Sequence, residues 1–286
     1  MGGGSPYDTG MAGSFLRVLS FNIRYDNPAD GLDSWDNRKH DVVKFLLDRS
    51  PHVIGLQEVL PHQNDFLVSA LTNTYSYYSV PRDDGYSKGE SCTIFVHKSF
   101  GSIGDAGTFW FGPTPFVPGS RHPDASLPRI CSWVRIELMG TLPRFDRPVF
   151  VLNLHLDHAS VQARTQAATQ LLATIPAIAG LYPSVLMGDF NCEPQASEMR
   201  VLKSCGYLAS ALPDDLPHIP TFTGFNGEGA GQIDHVLVSG LRCVSWCVGG
   251  TDNGRMRCTS QPLITAAGRR LSDHLPVEVE LEPNWG

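Results

Sequence analysis

Eight short apolar runs, spaced along the chain and separated by helix-like stretches, restrict its fold more than any other feature. They are "FLRVLSFNIR" (15–24), "HVIGLQEVL" (52–60), "SCTIFVHKS" (91–99), "ICSWVRIEL" (130–138), "PVFVLNLHLDH" (148–158), "SVLMGDFN" (184–191), "QIDHVLVSG" (232–240) and "LPVEVELE" (275–282). Several alternate with period two, and many are apolar on nearly both faces, as strands covered on both sides are. Residues 34–50, 60–73, 159–175 and 196–206 carry helical spacing, with Ser34 placed as an N-cap and Gly206 as a C-cap. Strands outnumber helices and the two are interleaved. The pattern predicts an α/β protein: two mixed β-sheets packed face to face with helices outside, a four-layer α/β/β/α sandwich.

The 42% of hydrophobic residues suffices for one large core. No shift in composition marks an internal boundary. The Gly/Ser-rich residues 1–14 read as a flexible leader or tag, leaving 15–286 as one domain. No secretory signal is visible. The longest apolar helical stretch, near 171–181, is interrupted by Pro176 and is too short to span a membrane, so a cytoplasmic location is expected. Cys92, Cys131, Cys192, Cys205, Cys243, Cys247 and Cys258 form no CxxC pair and read as reduced, mostly buried thiols. The net charge of −7 argues against a protein that grips long nucleic acid through its phosphates. Nothing in the pattern specifies an oligomeric state.

Four of the strands turn polar at the same relative place, their C-terminal ends. Asn22 follows Ser20 and Val18; Glu58 follows Leu56 and Ile54; Asn153 and His155 follow Val151; Asp189 and Asn191 follow Met187. For any one of these the bland reading is a cap or turn, and Asp189 before Asn191 could be a simple Asx turn. Together they read as one site, because buried charges are costly unless paired or bound to a metal. Glu58, Asp189 and Asp273 make a hard-oxygen set suited to Mg2+ or Mn2+. His155, His274 and Arg129 are candidate phosphate contacts or proton-transfer groups. Residues 100–128 and 249–271 read as long loops, which tend to carry function. Trp110, in the first of them, is a possible substrate-loop residue.

"SFNIR", "GLQEV", "LNLHLDH", "MGDFN", "QIDHVLV" and "LSDHLPV" occur in that order across 16–282. With them the chain resembles the endonuclease/exonuclease/phosphatase superfamily, the DNase I-like fold shared by AP endonucleases, deadenylases, neutral sphingomyelinases and inositol polyphosphate 5-phosphatases. The resemblance implies a divalent-metal-dependent phosphoesterase. It makes Glu58 the principal metal ligand, with Asn22 and Asp273 near the metal. It gives Asp189 the attacking water, Asn191 the transition state, Asp234 the orientation of His274, and His155 a phosphate contact or general acid. Arg129 and Asn153 are softer candidates for the substrate phosphate. Arg24 stands where AP endonucleases usually have an acidic residue, and the 5-phosphatase signature "PAWCDR" is absent. Further stretches, such as "DDGYSKGE", resemble a largely uncharacterised, mostly microbial branch near the deadenylase-type enzymes. The expectation is hydrolysis of a phosphodiester or phosphomonoester in a small molecule or short single-stranded nucleic acid. The alternatives are a 3′–5′ exoribonuclease of the deadenylase type and a phosphate-binding module that has lost catalysis.

Overall fold

A computed structural model describes residues 15–140, 142, 144–212, 219–229, 231–249, 251–252, 255–256, 263–264 and 268–284. The leader 1–14, Cys258 and much of 249–271 lie outside the described residues.

In chain order the strands are β1 (Leu16–Asn22), β2 (Val53–Val59), β3 (Tyr75–Tyr78), β4 (Ser91–His97), β5 (Gly101–Trp110), β6 (Ile130–Leu138) and β7 (Val149–His155). They continue with β8 (Ser184–Asp189), β9 (Ala209–Ser210), β10 (Asp234–Ser239), β11 (Leu241–Val248), β12 (Thr251–Asp252), β13 (Arg255–Met256) and β14 (Val277–Pro283). The helices are α1 (Trp35–Arg49), α2 (Pro61–Leu71), α3 (Val161–Ala179) and α4 (Ser197–Lys203). One six-stranded sheet has the order β11-β14-β1-β2-β4-β3, and the other β5-β6-β7-β8-β10-β9. Each mixes parallel and antiparallel pairs: β1–β2 and β7–β8 are parallel, their other neighbours antiparallel.

Strand parity explains the four layers. Val18, Val53, Val151, Val185, Met187 and Val277 point inward and form the core between the sheets. Leu19, Phe21, Ile54 and Leu56 point the other way, against Val42 and Leu46 of α1 and Leu67 and Leu71 of α2. Leu152, Leu154 and Leu186 meet Ala168 and Leu171 of α3 and Met199 and Leu202 of α4. The sheets come close at Gly55, where an added Cβ would sit 2.4 Å from Met187 Cε and 3.1 Å from Asn153 Cγ of the opposite sheet. Among the described residues no helix is long and apolar enough to cross a membrane.

Several points differ from the sequence expectation: β3 and β11 correspond to none of the eight runs, and the C-cap of α4 is Ser204 rather than Gly206. Residues 101–110, read as loop, form β5, an edge strand paired with β6. Its glycines hide the strand pattern, because a Cβ on Gly107 would strike the Trp133 ring at 2.8 Å. The Ser34 side chain occupies the N-cap position of α1 but accepts from the Asn37 side chain (3.1 Å) rather than from a backbone amide of the first turn. Helix α3 runs past Pro176 to Ala179.

Candidate active site

Strand direction assembles the site at one pole. The parallel pairs β1–β2 and β7–β8 carry Asn22 and His155 to the same end as Glu58 and Asp189, and register pairs His155 with Asp189. Strand β10 runs antiparallel to β8, so its first residue, Asp234, lies opposite Asp189. Strand β14 runs antiparallel to β1, which brings the preceding Asp273 and His274 to the same pole.

Glu58 needs a backbone device to get there. Parity with Leu56 would turn it outward toward α2. An irregularity in the β2–β4 pairing between Leu56 and Val59, with φ of 63° at Glu58, turns it into the cleft instead. Positive φ is uncommon outside glycine and often marks a functional position. Its Oε1 accepts from Asn22 Nδ2 (3.0 Å) and its Oε2 from the Tyr25 amide (2.9 Å).

Asn22 joins the two sheets' contributions. Its Nδ2 also donates to Asp189 Oδ2 (3.0 Å), while its Oδ1 accepts from the Arg24 amide (3.0 Å). The structure therefore places Asn22 as a donor that spaces two carboxylates, with its oxygen held by the Arg24 amide. Asp189 Oδ1 accepts from the Asn191 amide (2.9 Å), and Asn191 itself adopts φ of 50°. Asn191 Nδ2 donates to Leu156 O (3.1 Å) and His155 Nε2 (3.0 Å). His274 Nδ1 donates to Asp234 Oδ2 (2.8 Å), and its Nε2 lies 3.8 Å from Asp189 Oδ2. Asp273 Oδ1 accepts from Ser272 Oγ (3.2 Å), and its Oδ2 lies 3.7 Å from Arg24 Nη1.

Burial alone would lower the His274 pKa, but Asp234, Asp189 and Asp273 raise it to about 10, so the ring is an imidazolium at neutral pH. Burial and Asp234 push Asp189 up to about 7, against the pull of His274. Burial also raises Asp273. Burial, with Arg129 and Arg82, holds His155 well below its ordinary value and keeps that ring neutral. In the metal-free protein the two histidines act on opposite limbs of the stability profile. The fold refuses a proton at His155 that the unfolded chain accepts below about pH 6.5, so stability falls with acid. The imidazolium of His274 stabilises fully below about pH 6.5, and that contribution is lost as pH rises through about 10. Urea unfolding across pH should show His155→Gln flattening the acid limb and His274→Gln the alkaline one.

Among the described residues, Glu58, His155 and Asp189 each offer a ligand atom within 4.8 Å of the others. The carboxylates Asp189, Asp234 and Asp273 gather around one imidazolium, Glu58 is joined to Asp189 through Asn22 Nδ2, and the buried Asp234 Oδ1 has no hydrogen-bond partner. Such a donor set, rich in oxygen and in negative charge, fits a hard divalent cation.

Two expected residues are not at the site. Asn153 is fully buried, donates to Leu56 O (2.9 Å) and Thr93 O (3.0 Å), and accepts from Gln57 Nε2 (2.7 Å). Its hydrogen-bonding capacity is spent clamping β7 to β2 and β4 across the sandwich, so it is not a phosphate contact. Trp110 ends β5 rather than lying in a loop, and it is 4% exposed. Its indole donates to Arg82 O (2.5 Å), so it packs beneath the 82–90 turn.

Arg129 lines a small recess beside the site together with Glu58 and His155. It is buried beside His155, its Nη2 donates to His158 Nδ1 (3.1 Å), and its Nε and Nη1 have no partner. Arg82 and Glu90 were not anticipated. They form a two-bonded pair (2.6 and 2.9 Å) that lines the same recess, and Glu90 Oε2 lies 3.8 Å from His155 Nδ1. Their only sequence signal is two opposite charges at either end of a polar turn.

Comparison with known proteins gives the site its relatives. Residues 19–274 match the model of the Endonuclease/Exonuclease/phosphatase family. No curated protein sequence matches the chain. A family protein of solved structure from Bacteroides thetaiotaomicron is 30% identical, with a TM-score of 0.83, over 95% of this chain and 99% of its own. The mannosyl-6-phosphatase of Bacteroides thetaiotaomicron VPI-5482 is 31% identical, with a TM-score of 0.81, over 93% and 99%. The human Nocturnin catalytic domain, solved with a bound sulfate anion, shares the fold at 19% identity and a TM-score of 0.71, over 95% and 94%.

Proposed function

The chain belongs to the Endonuclease/Exonuclease/phosphatase family, whose members hydrolyse phosphoester bonds, and on that premise we propose that it hydrolyses a phosphoester of modest size with Mg2+ or Mn2+. The observation that carries the reading is the convergence of Asn22, Glu58, His155, Asp189, Asp234 and His274 from both sheets at one pole. The acidic balance of the chain and the mannosyl-6-phosphatase among similar structures both support a compact substrate.

Glu58 and Asp189 would hold the cation, with His155 beside them and Asp273 at the rim. A bound divalent cation supplies positive charge to the phosphate's non-bridging oxygens. Asp189 is fixed on both sides, its Oδ1 by the Asn191 amide and its Oδ2 by Asn22 Nδ2, so its remaining lone pairs are held in place to align a water and take its proton. The His274 imidazolium, fixed by Asp234, donates through Nε2 to an oxygen of the transferring phosphoryl group. The Asn191 side chain, bonded to Leu156 O and to His155 Nε2, holds neutral His155 beside the reacting phosphate.

The test is a panel of phosphomonoesters, phosphodiesters and a short single-stranded RNA with Mg2+, Mn2+ or EDTA. Hydrolysis should fall to background in EDTA and return with either cation. An undiminished rate in EDTA rejects the metal, and no hydrolysis of any member rejects the phosphoesterase reading.

A further inference from the structure

At the rim of the cleft the Arg24 guanidinium is held in one orientation. Its backbone has φ of 61°, its amide donates to Asn22 Oδ1 (3.0 Å), and its carbonyl accepts from Gln63 Nε2 (3.1 Å). Its Nε and Nη2 donate to the two oxygens of Asp30 (3.0 and 3.1 Å), and its central carbon lies 4.5 Å from the centre of the Tyr25 ring. A guanidinium bonded along one edge and stacked on one face has little freedom to swing away. Its remaining nitrogen, Nη1, is turned toward the site, 3.7 Å from Asp273 Oδ2.

That contact divides the acids of the cleft into two kinds. Asp273 is already matched by positive charge. Burial pushes its carboxyl up, while His274 and Arg24 favour its charged form, and its Oδ1 accepts from Ser272 Oγ (3.2 Å). Glu58 and Asp189, by contrast, are spaced by the neutral amide of Asn22. Among the described residues, Glu58, His155 and Asp189 bring ligand atoms within 4.8 Å of one another, as do Asp189, Asp234 and His274, and Asp273 belongs to neither group. A divalent cation is drawn to uncompensated carboxylates and repelled by a fixed cation close by.

We propose that Arg24 is a built-in cation that takes the Asp273 side of the cleft, so that the site admits one divalent ion, on the Glu58 and Asp189 side, and excludes a second. The proposal rests on the metal-dependent reading above. Arginine does not lose its proton under conditions in which proteins fold, so the exclusion holds at every working pH. A second ion at Asp273 would have to displace a guanidinium that Asp30, Asn22 and Tyr25 hold in place. Arg24 is thus a positioning residue: it holds Asp273 and sets the metal count. A two-metal site clamps both the attacking and the leaving oxygen. With one ion, part of that task falls to side chains of the chain itself.

Equilibrium dialysis of the full-length protein against Mn2+, at a salt concentration that screens weak surface binding, tests this without reference to turnover. The wild type should saturate at about one ion per chain, and Arg24→Glu, which replaces the fixed cation by a carboxylate, at about two, as in paired-metal sites. Arg24→Lys keeps a cation there and should stay at about one. A merely structural role for Arg24 would not raise the count. Arg24→Gln, which removes the charge without adding an acid, gives the same reading should Arg24→Glu not fold. Two ions in the wild type overturn the proposal and leave the metal-dependent reading standing, and this arm needs no variant. A single ion in both the wild type and the folded charge-removing variant also overturns it. No bound ion in the wild type overturns the metal-dependent reading itself.

Discussion

Asp189→Asn should lower turnover by at least about 10²–10³-fold, the loss typical of removing one preorganised catalytic group, without unfolding the protein. The carboxylate sits between Asn22, the Asn191 amide and the two histidines, so no neighbouring group can replace it. Asparagine keeps its size and one acceptor but cannot take a proton from water. The stability readout is as informative as the rate. Burial and Asp234 raise the Asp189 pKa, so its ionised form opposes folding at pH above about 7 when no cation is present. The metal-free variant should therefore melt at the same temperature as the wild type or higher, while the gain in melting temperature on adding Mg2+ shrinks. Turnover within about tenfold of wild type, less than any such group typically contributes, removes Asp189 from the mechanism.

The second large effect concerns the preceding residue. Gly188→Ala should destabilise the fold by roughly 2–6 kcal/mol, the sum of backbone strain and overpacking. Gly188 has φ of 145°, and an added Cβ would lie 2.0 Å from Leu154 O on the neighbouring strand. The carbonyl belongs to a β7–β8 ladder and cannot move without opening the register that pairs His155 with Asp189. Chemical denaturation should show the loss, and residual activity should fall with it. A change below about 1 kcal/mol, the cost of a mild core adjustment, would mean that β8 can shift freely.

The two predictions concern adjacent residues, yet only one could be understood from the sequence. Asp189 stands at the end of an apolar run, and the polar ends of four strands point to a shared site. Helical spacing gave four helices within a few residues of their ends, because that signal is local. Gly188 reads simply as small until Leu154 O is placed beside it. Glu58 was legible as a ligand but for a reason that parity contradicts, since the bulge that turns it inward leaves no mark in "GLQEV". Asn153 shares its strand face with His155, yet it is consumed by backbone carbonyls of the opposite sheet. Periodicity gives the face of a strand, whereas pairing across the sandwich decides what is left for a ligand. Arg82, Glu90 and Arg129 meet only through such pairing.

The pairing of β1 with β14 has a consequence for how the protein comes into being. Leu16 lies opposite Leu281 in the antiparallel register, so β1 waits for β14. Asn22 and His274 belong to these two segments. On the ribosome, the cleft stays incomplete until nearly the whole domain has been synthesised. Contacts so distant in sequence are slow to form, because the loop they close must first lose its entropy. Catalytic competence is then among the last properties the folding chain acquires, and its appearance times the closing of the sheet.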